Sequence, residues 1–243
     1  MTSMPDLPTN SPSTKAVAAV IPAYQAARSV GAVVRGTREI LAEVLVIDDG
    51  SIDRTTAVAR PLSPVVSLVS NLGIGGAVQT GIKYALRNGY DFCIQIDGDG
   101  QHIPSEIARL LEEQRATGRN ITIGSRYLGN ATFRSTFTRR FGSRVIAKAL
   151  DKLFAGGQIT DPTSGMRLMD RRAMALFARR YPQDFPEPIS LAWAMRSGLT
   201  VGETPVAMRA RERGSSSSNG LKPLNYMIRV LSYIVFARLA SRI

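Results

Sequence analysis

Five short apolar runs, each ending in a polar or glycine-bearing loop, constrain what this chain can fold into more than any other feature. They cover residues 16–21, 43–47, 65–69, 92–96 and 120–123. Runs of this length with no polar face fit strands covered on both sides. The stretches between them have helical spacing instead. Val30, Val33 and Val34 recur within 27–41, a short helix fits 55–60, and Ile74, Val78, Ile82 and Leu86 share one face before Gly89. Pro104 opens a further helix with Ile107, Leu110 and Leu111 turned inward. Strand and helix alternating through short connections predict a mainly parallel α/β sheet with helices on both faces. In such sheets ligands bind outside the carboxyl ends of the strands.

The polar loops all fall on that edge. They are Pro22-Ala23-Tyr24, Asp48-Asp49, Asn71-Leu72-Gly73 and Asp97-Gly98-Asp99-Gly100-Gln101. Asp-Gly is ordinary turn chemistry, so a solvated turn would explain the last of these by itself. Two acids one residue apart at a strand end also repel each other, and a divalent cation relieves that repulsion. Asp97, Asp99 and the Gln101 side-chain carbonyl are hard oxygen ligands suited to Mg²⁺ or Mn²⁺. Tyr24 offers a ring for stacking, and Asp49 can accept N–H groups of a nucleotide base. Glycines after Asn71 allow close approach of backbone to ligand. Four such loops on one edge favour a binding site for a nucleotide-activated donor whose diphosphate is held by metal.

The second half is more basic and less regular. A helix-like stretch over 134–152 carries Arg139, Arg140, Arg144, Lys148 and Lys152, which also fits a solvated face. A loop at 161–167 leads into a short strand, with helices expected over 171–180 and 187–197 and a strand over 200–207. The expected organisation is a disordered leader (1–15), a catalytic domain (16–208), a flexible basic acceptor loop (209–220) and a C-terminal amphipathic helix (221–243). No acid follows Glu212, while Arg213, Lys222, Arg229, Arg238 and Arg242 do. An apolar helix with only cations fits an anionic membrane surface; packing on the domain, or homo-oligomer formation through this helix, fits it as well. The net charge of +12, from 31 basic and 19 acidic residues, points to an anionic partner. A single cysteine, Cys93, forms no internal disulfide, and the expected location is cytoplasmic, peripheral on the cytosolic membrane face.

Six motifs in order resemble one family. They are Val20-Ile21-Pro22-Ala23-Tyr24, Val46-Ile47-Asp48-Asp49-Gly50-Ser51-Ile52-Asp53, Asn71-Leu72-Gly73, Asp97-Gly98-Asp99-Gly100-Gln101-His102, Gly124-Ser125-Arg126-Tyr127 and Asp161-x-Thr163-Ser164-Gly165-Met166-Arg167. From Val17 to about Ala207 the chain resembles the inverting family 2 glycosyltransferases of GT-A fold, a Rossmann-like nucleotide-diphospho-sugar transferase fold. Within them it looks like the dolichol- and polyprenyl-phosphate branch. The resemblance implies that Pro22, Ala23, Tyr24, Asp49, Asn71, Gly73, Asp97 and Gly98 bind the nucleotide sugar. It implies a metal on Asp97, Asp99 and Gln101, and phosphate or acceptor binding by Arg126, Arg167, Arg211 and Ser216. Three positions depart from the pattern: Gln25 where an acid usually follows the aromatic, Ile74 where Lys is frequent, and Ser217 where Lys is common.

The acceptor decides the mechanism. A polyprenyl phosphate is already anionic and needs no strong base, so positioning and stabilisation of the departing diphosphate suffice. A hydroxyl acceptor needs a carboxylate base. Asp161 is the first candidate and Glu187 the second, although an acid at a helix N-terminus also has a structural use. A sugar-phosphate nucleotidyltransferase would need a Gly- and Arg-rich loop where Pro22-Ala23-Tyr24-Gln25 stands. Nothing reads nucleic acid, and no G-x-G-x-x-G follows the first strand.

Overall fold

A computed structural model describes residues 15–129, 137–155, 158–209 and 222–239. Residues 1–14 of the expected leader and most of the basic loop, with Arg211 and Ser216, lie outside the described residues, while Lys15, expected in the leader, opens the first strand. The first half alternates as anticipated: β1 (Lys15–Ala23), α1 (Val30–Arg38), β2 (Glu43–Asp48), α2 (Thr55–Ala59), β3 (Val65–Ser67), α3 (Gly73–Arg87) and β4 (Tyr90–Gln95). A 3₁₀ turn, Pro104–Glu106, then leads into α4 (Ile107–Thr117) and β5 (Ile121–Ser125). The second half adds α5 (Phe137–Leu153), β6 (Arg167–Asp170), α6 (Arg171–Arg179), α7 (Pro186–Arg196), β7 (Val201–Pro205) and α8 (Lys222–Leu239).

The strands form one sheet in the order β3-β2-β1-β4-β6-β5-β7. All neighbours pair in parallel except β6, which is antiparallel to both β4 and β5. That exception matters for the site. A reversed strand begins where its neighbours end, so β6 delivers the loop before it to the same edge as the β4 and β5 carboxyl ends.

Side-chain alternation along the strands explains why both faces are covered. Ala18 and Val20 of β1, with Leu45 and Ile47 of β2, enter one apolar cluster with side chains from α3, α5, α6, α7 and α8. Ala19, Ile21 and Ala23, with Val44 and Val46, enter the other with α1, α2 and α4. The Cys93 thiol lies buried in the first cluster, and burial pushes its pKa up to about 12. It is a packing residue. Among the described residues no helix is long and apolar enough to cross a membrane.

Candidate active site

The loops after β1, β2 and β3 are tied to one another by backbone groups. The Asp49 N–H donates to the Ala23 carbonyl at 2.9 Å, and Asp49 Oδ1 accepts the Leu72 N–H at 2.8 Å. Gly50 makes this closeness possible. Its φ of 71° is left-handed, and a Cβ there would lie 2.8 Å from the Asn71 nitrogen. Burial raises the Asp49 carboxyl above its ordinary pKa; the Leu72 and Gly73 N–H groups pull it back, and Asp48 adds repulsion. Asp48 anchors the turn, accepting the Ser51 N–H on one oxygen and the Thr56 hydroxyl on the other. Tyr24 is half exposed beside this junction, and its hydroxyl accepts the Gln25 side-chain amide. Asn71 is exposed, with its side-chain oxygen accepting the Gly73 N–H at 3.0 Å.

The acidic turn follows at the end of β4, the middle strand of the sheet. The Gly98 N–H donates to the Pro22 carbonyl at 3.1 Å, which fastens the turn to the β1 loop. The Asp97 N–H donates to His102 Nδ1 at 3.2 Å. That acceptor role places the proton of the buried His102 ring on Nε2. Asp97 Oδ1 accepts the Gln95 side-chain amide at 3.2 Å. Its carboxylate also faces Gly165, where a Cβ would sit 2.4 Å from Oδ2. Any side chain at 165 would displace this acid.

Asp99 is exposed and accepts the Gln101 N–H at 3.0 Å, while the Gln101 carbonyl accepts the Arg209 N–H at 2.9 Å. Among the described residues no cluster of three or more His, Cys, Asp or Glu side chains could hold a metal. Two carboxylates and an amide carbonyl are nevertheless an apt set for Mg²⁺ or Mn²⁺, which keep waters and take substrate phosphate oxygens as further ligands. The glycine-walled space around Asp97 fits that use.

The opposite wall is organised differently. Arg126 clamps Asp161 through Nε at 2.6 Å and a terminal nitrogen at 2.7 Å, and its own N–H donates to the same carboxylate at 3.0 Å. Thr163 donates to Asp161 and accepts from Arg126. Behind Asp161, Glu203 of β7 accepts the Thr160 and Asp161 N–H groups and the Thr160 hydroxyl at 2.7–2.8 Å. Burial would lower the Arg126 pKa, but the Asp161 hydrogen bonds and charge outweigh it and raise it. Burial raises the Glu203 carboxyl, and its bonds from Asp161 and Thr160 only partly restore it.

Three residues expected at the acceptor side therefore stand in unlike settings. Asp161 has no exposed surface and both oxygens engaged, which leaves it no access to a proton of an incoming hydroxyl. Arg167 is buried, with its guanidinium donating to the carbonyls of Ser164, Pro162 and Glu187 and to the Ser190 hydroxyl. It ties the loop before β6 to the head of α7, rather than facing a ligand phosphate. Glu187, in the first turn of α7, keeps part of its surface. Burial raises its carboxyl; Arg167 opposes this and Asp97 adds to it.

A cleft of about 390 Å³ opens beside the clamp, lined by Tyr127, Ile159, Thr160 and the α5 cations Arg140, Arg144 and Lys148. The cations stand at i, i+4 and i+8, so they share a helix face. Glu203 and Gln95 were not singled out in the sequence, and His102 stood there only as the end of the acidic motif, with no role assigned. His102 is the chain's one histidine and directly follows the acidic turn, which was an available signal. Glu203 offered only a charge within an otherwise uncharged strand.

The glycosyl transferase family 2 description matches residues 18–177. A polyprenol monophosphomannose synthase from Mycolicibacterium smegmatis is 31% identical over 232 residues, covering 90% of this chain and 87% of that protein. An undecaprenyl-phosphate mannosyltransferase from Micrococcus luteus is 28% identical, covering 84% and 88%. Among solved structures, glucosyl-3-phosphoglycerate synthase from Mycobacterium tuberculosis in complex with Mn²⁺, UDP and glucosyl-3-phosphoglycerate superposes with a TM-score of 0.67. That match is 19% identical, covers 92% of this chain and 79% of the other, and shows that the two share the GT-A fold.

Proposed function

Because the chain belongs to glycosyl transferase family 2 and is a glycosyltransferase, we propose that it moves a sugar from a nucleoside diphosphate sugar to a polyprenyl phosphate. The observation that carries the reading is the placement on one sheet edge of an exposed acidic turn and an arginine held in a fixed direction by its own carboxylate partner. Asp97 and Asp99 end the middle strand, and the Arg126 guanidinium stands at the end of β5 across the loop that begins β6. An acidic turn suits a metal-held diphosphate, and the cleft across from it, where Arg140, Arg144 and Lys148 of α5 stand beside the Arg126–Asp161 pair, suits a phosphate acceptor. The relatives named for polyprenyl phosphate transfer support the acceptor class.

In this reading Tyr24 stacks on the base, and Asp49 accepts its N–H groups after yielding the Leu72 contact. Pro22, Ala23, Asn71, Gly73 and Gly98 shape the pocket backbone. Asp97, Asp99 and Gln101 hold Mg²⁺ or Mn²⁺, which when bound would neutralise charge gathering on the nucleoside diphosphate. Arg126, fixed in direction by Asp161, holds a phosphate oxygen of donor or acceptor. The acceptor's phosphate oxygen attacks the anomeric carbon in line, the bond to the diphosphate breaks, and the configuration inverts. No proton needs removing, so the engagement of Asp161 is no obstacle. Arg211 and Ser216 are proposed to complete the acceptor side, and the protein is placed at the cytosolic face of the membrane.

A second reading keeps the donor and takes a soluble hydroxyl acceptor. Glu187 favours it, since its carboxyl keeps part of its surface and feels the charges of Asp97 and Arg126. The family assignment removes the nucleotidyltransferase option.

The test is a panel of nucleoside diphosphate sugars assayed for nucleoside diphosphate release with Mg²⁺ or Mn²⁺, with and without a polyprenyl phosphate. Release that depends on both metal and lipid phosphate is the expected result. Release driven equally by a soluble hydroxyl acceptor would replace it with the second reading.

A further inference from the structure

Helix α8 carries two apolar stripes on opposite sides. Val230, Ile234 and Ala237 are buried in the core cluster beside α5 and α7. At 100° per residue these three centre on one side of the helix, while Ile228, Val235 and Leu239 centre on the other. The second set is 55%, 45% and 74% exposed, and Phe236 beside it is 67% exposed. An ordinary docked helix is polar on the face turned away from the core. On α8 that face carries Ile228, Val235, Phe236 and Leu239, interrupted by Asn225 and Ser232.

Charge decides what covers it. The only charged residues of α8 are Lys222, Arg229 and Arg238. On the adjoining α5, Arg140, Arg144 and Lys148 are exposed, and Phe141 is 59% exposed. Asp151 is the one acid in α5. Arg229 is turned towards the domain, paired with Asp184 at 3.2 Å and placed over the Phe185 ring. A second copy apposed to this face would bring Arg238 towards like charges with no acid on α8 to meet it. An anionic bilayer surface meets both features, since lipid acyl chains take the apolar side chains and headgroups take the cations.

We propose that the outward stripe of α8, Ile228, Val235, Phe236 and Leu239, is a bilayer-contacting surface selective for anionic lipid. The helix lies in the interfacial plane, with its opposite stripe locked to the catalytic domain. This deepens the polyprenyl phosphate reading and rests on it for its purpose, because the acceptor would be presented at that plane. Its test measures adhesion without catalysis, so the two ideas fail separately.

The experiment is flotation of the full chain with phosphatidylglycerol–phosphatidylcholine vesicles and with phosphatidylcholine vesicles alone. The variant combines Ile228→Ser, Val235→Ser, Phe236→Ser and Leu239→Ser; a milder one carries Phe236→Ser and Leu239→Ser only. All four side chains are exposed, so thermal melting should be unchanged. The wild-type chain is expected to float with the anionic vesicles and much less with the neutral ones. Partitioning of the fourfold variant should fall about tenfold or more, with the double variant between. Equal flotation of wild type and both variants would overturn the proposal, as would failure of the wild type to bind anionic vesicles. So would a wild-type dimer in analytical ultracentrifugation that the substitutions dissociate while vesicle binding persists.

Discussion

The two walls of the site use carboxylates in opposite ways. At the end of β4, Asp99 is exposed, and Asp97 is one-third exposed and held by an amide and a histidine-bound backbone N–H. Across the edge, Asp161 is wholly buried and saturated by the Arg126 guanidinium, the Arg126 backbone N–H and the Thr163 hydroxyl. The first wall turns its acids towards solvent, where the proposed metal and diphosphate would meet them, whereas the acid at the second is a fixture that aims a cation. Proximity to a site therefore says less about a carboxylate's role than how many of its oxygens the fold has already engaged.

Breaking the second wall should have the largest effect. Asp161→Ala removes the carboxylate that neutralises the largely buried Arg126 guanidinium, so stability should drop by about 3–5 kcal/mol, read from urea unfolding. If the melt is unchanged, the clamp is not a structural fixture. At the first wall, Asp99→Ala should leave the unfolding curve in place and lower metal-dependent nucleoside diphosphate release by about 10²–10³-fold. Intact turnover would remove Asp99 from the metal site.

Gly165→Ala joins the two walls, because its new Cβ would press on Asp97. Apparent metal affinity should weaken by about 10- to 100-fold, the scale of a displaced ligand support, measured by Mn²⁺ titration. A change in thermal stability alone, at unaltered Mn²⁺ affinity, would confine Gly165 to packing.

The smallest effect concerns pH. The Glu187 carboxyl is raised above 4.5 in the fold, chiefly by burial. A carboxyl raised in the folded state contributes stability that is complete below its unfolded pKa and is lost as pH rises through the folded value. Wild-type stability should therefore decline as pH rises from the ordinary value of 4.5 towards the raised folded value, and Glu187→Gln should flatten that decline. Melts collected at stepped pH compare the two slopes; identical slopes would separate Glu187 from this linkage.

Much of the first half was legible because it is local. Strands buried on both faces leave unbroken apolar runs, and the loops between them hold glycine and acid in recognisable order. The acidic turn could be placed on the sheet edge from the β4 run alone. The second half resisted for the converse reason. β6 is four residues long, and its antiparallel place between β4 and β5 is set by partners 44 or more positions away. Nothing within Arg167–Asp170 encodes that order. Arg167 looked like a phosphate-binding residue and Asp161 like a base because a charged residue in a motif reads the same whether it faces a substrate or a buried partner.

The terminal helix divides in the same way. Its length, apolar character and lack of acids came from composition, but docking of Val230 and Ile234 and exposure of Val235 depended on α5 and α7. By itself the sequence determined the alternating α/β pattern, the motifs of the family and the acids at the end of the middle strand. These follow from periodicity and turn chemistry, which act over a few residues. Only the tertiary structure decided which charges face the site and which hold it together. That choice depends on burial and on hydrogen-bond partners distant in the chain, such as Glu203 behind Asp161 and Gly165 against Asp97.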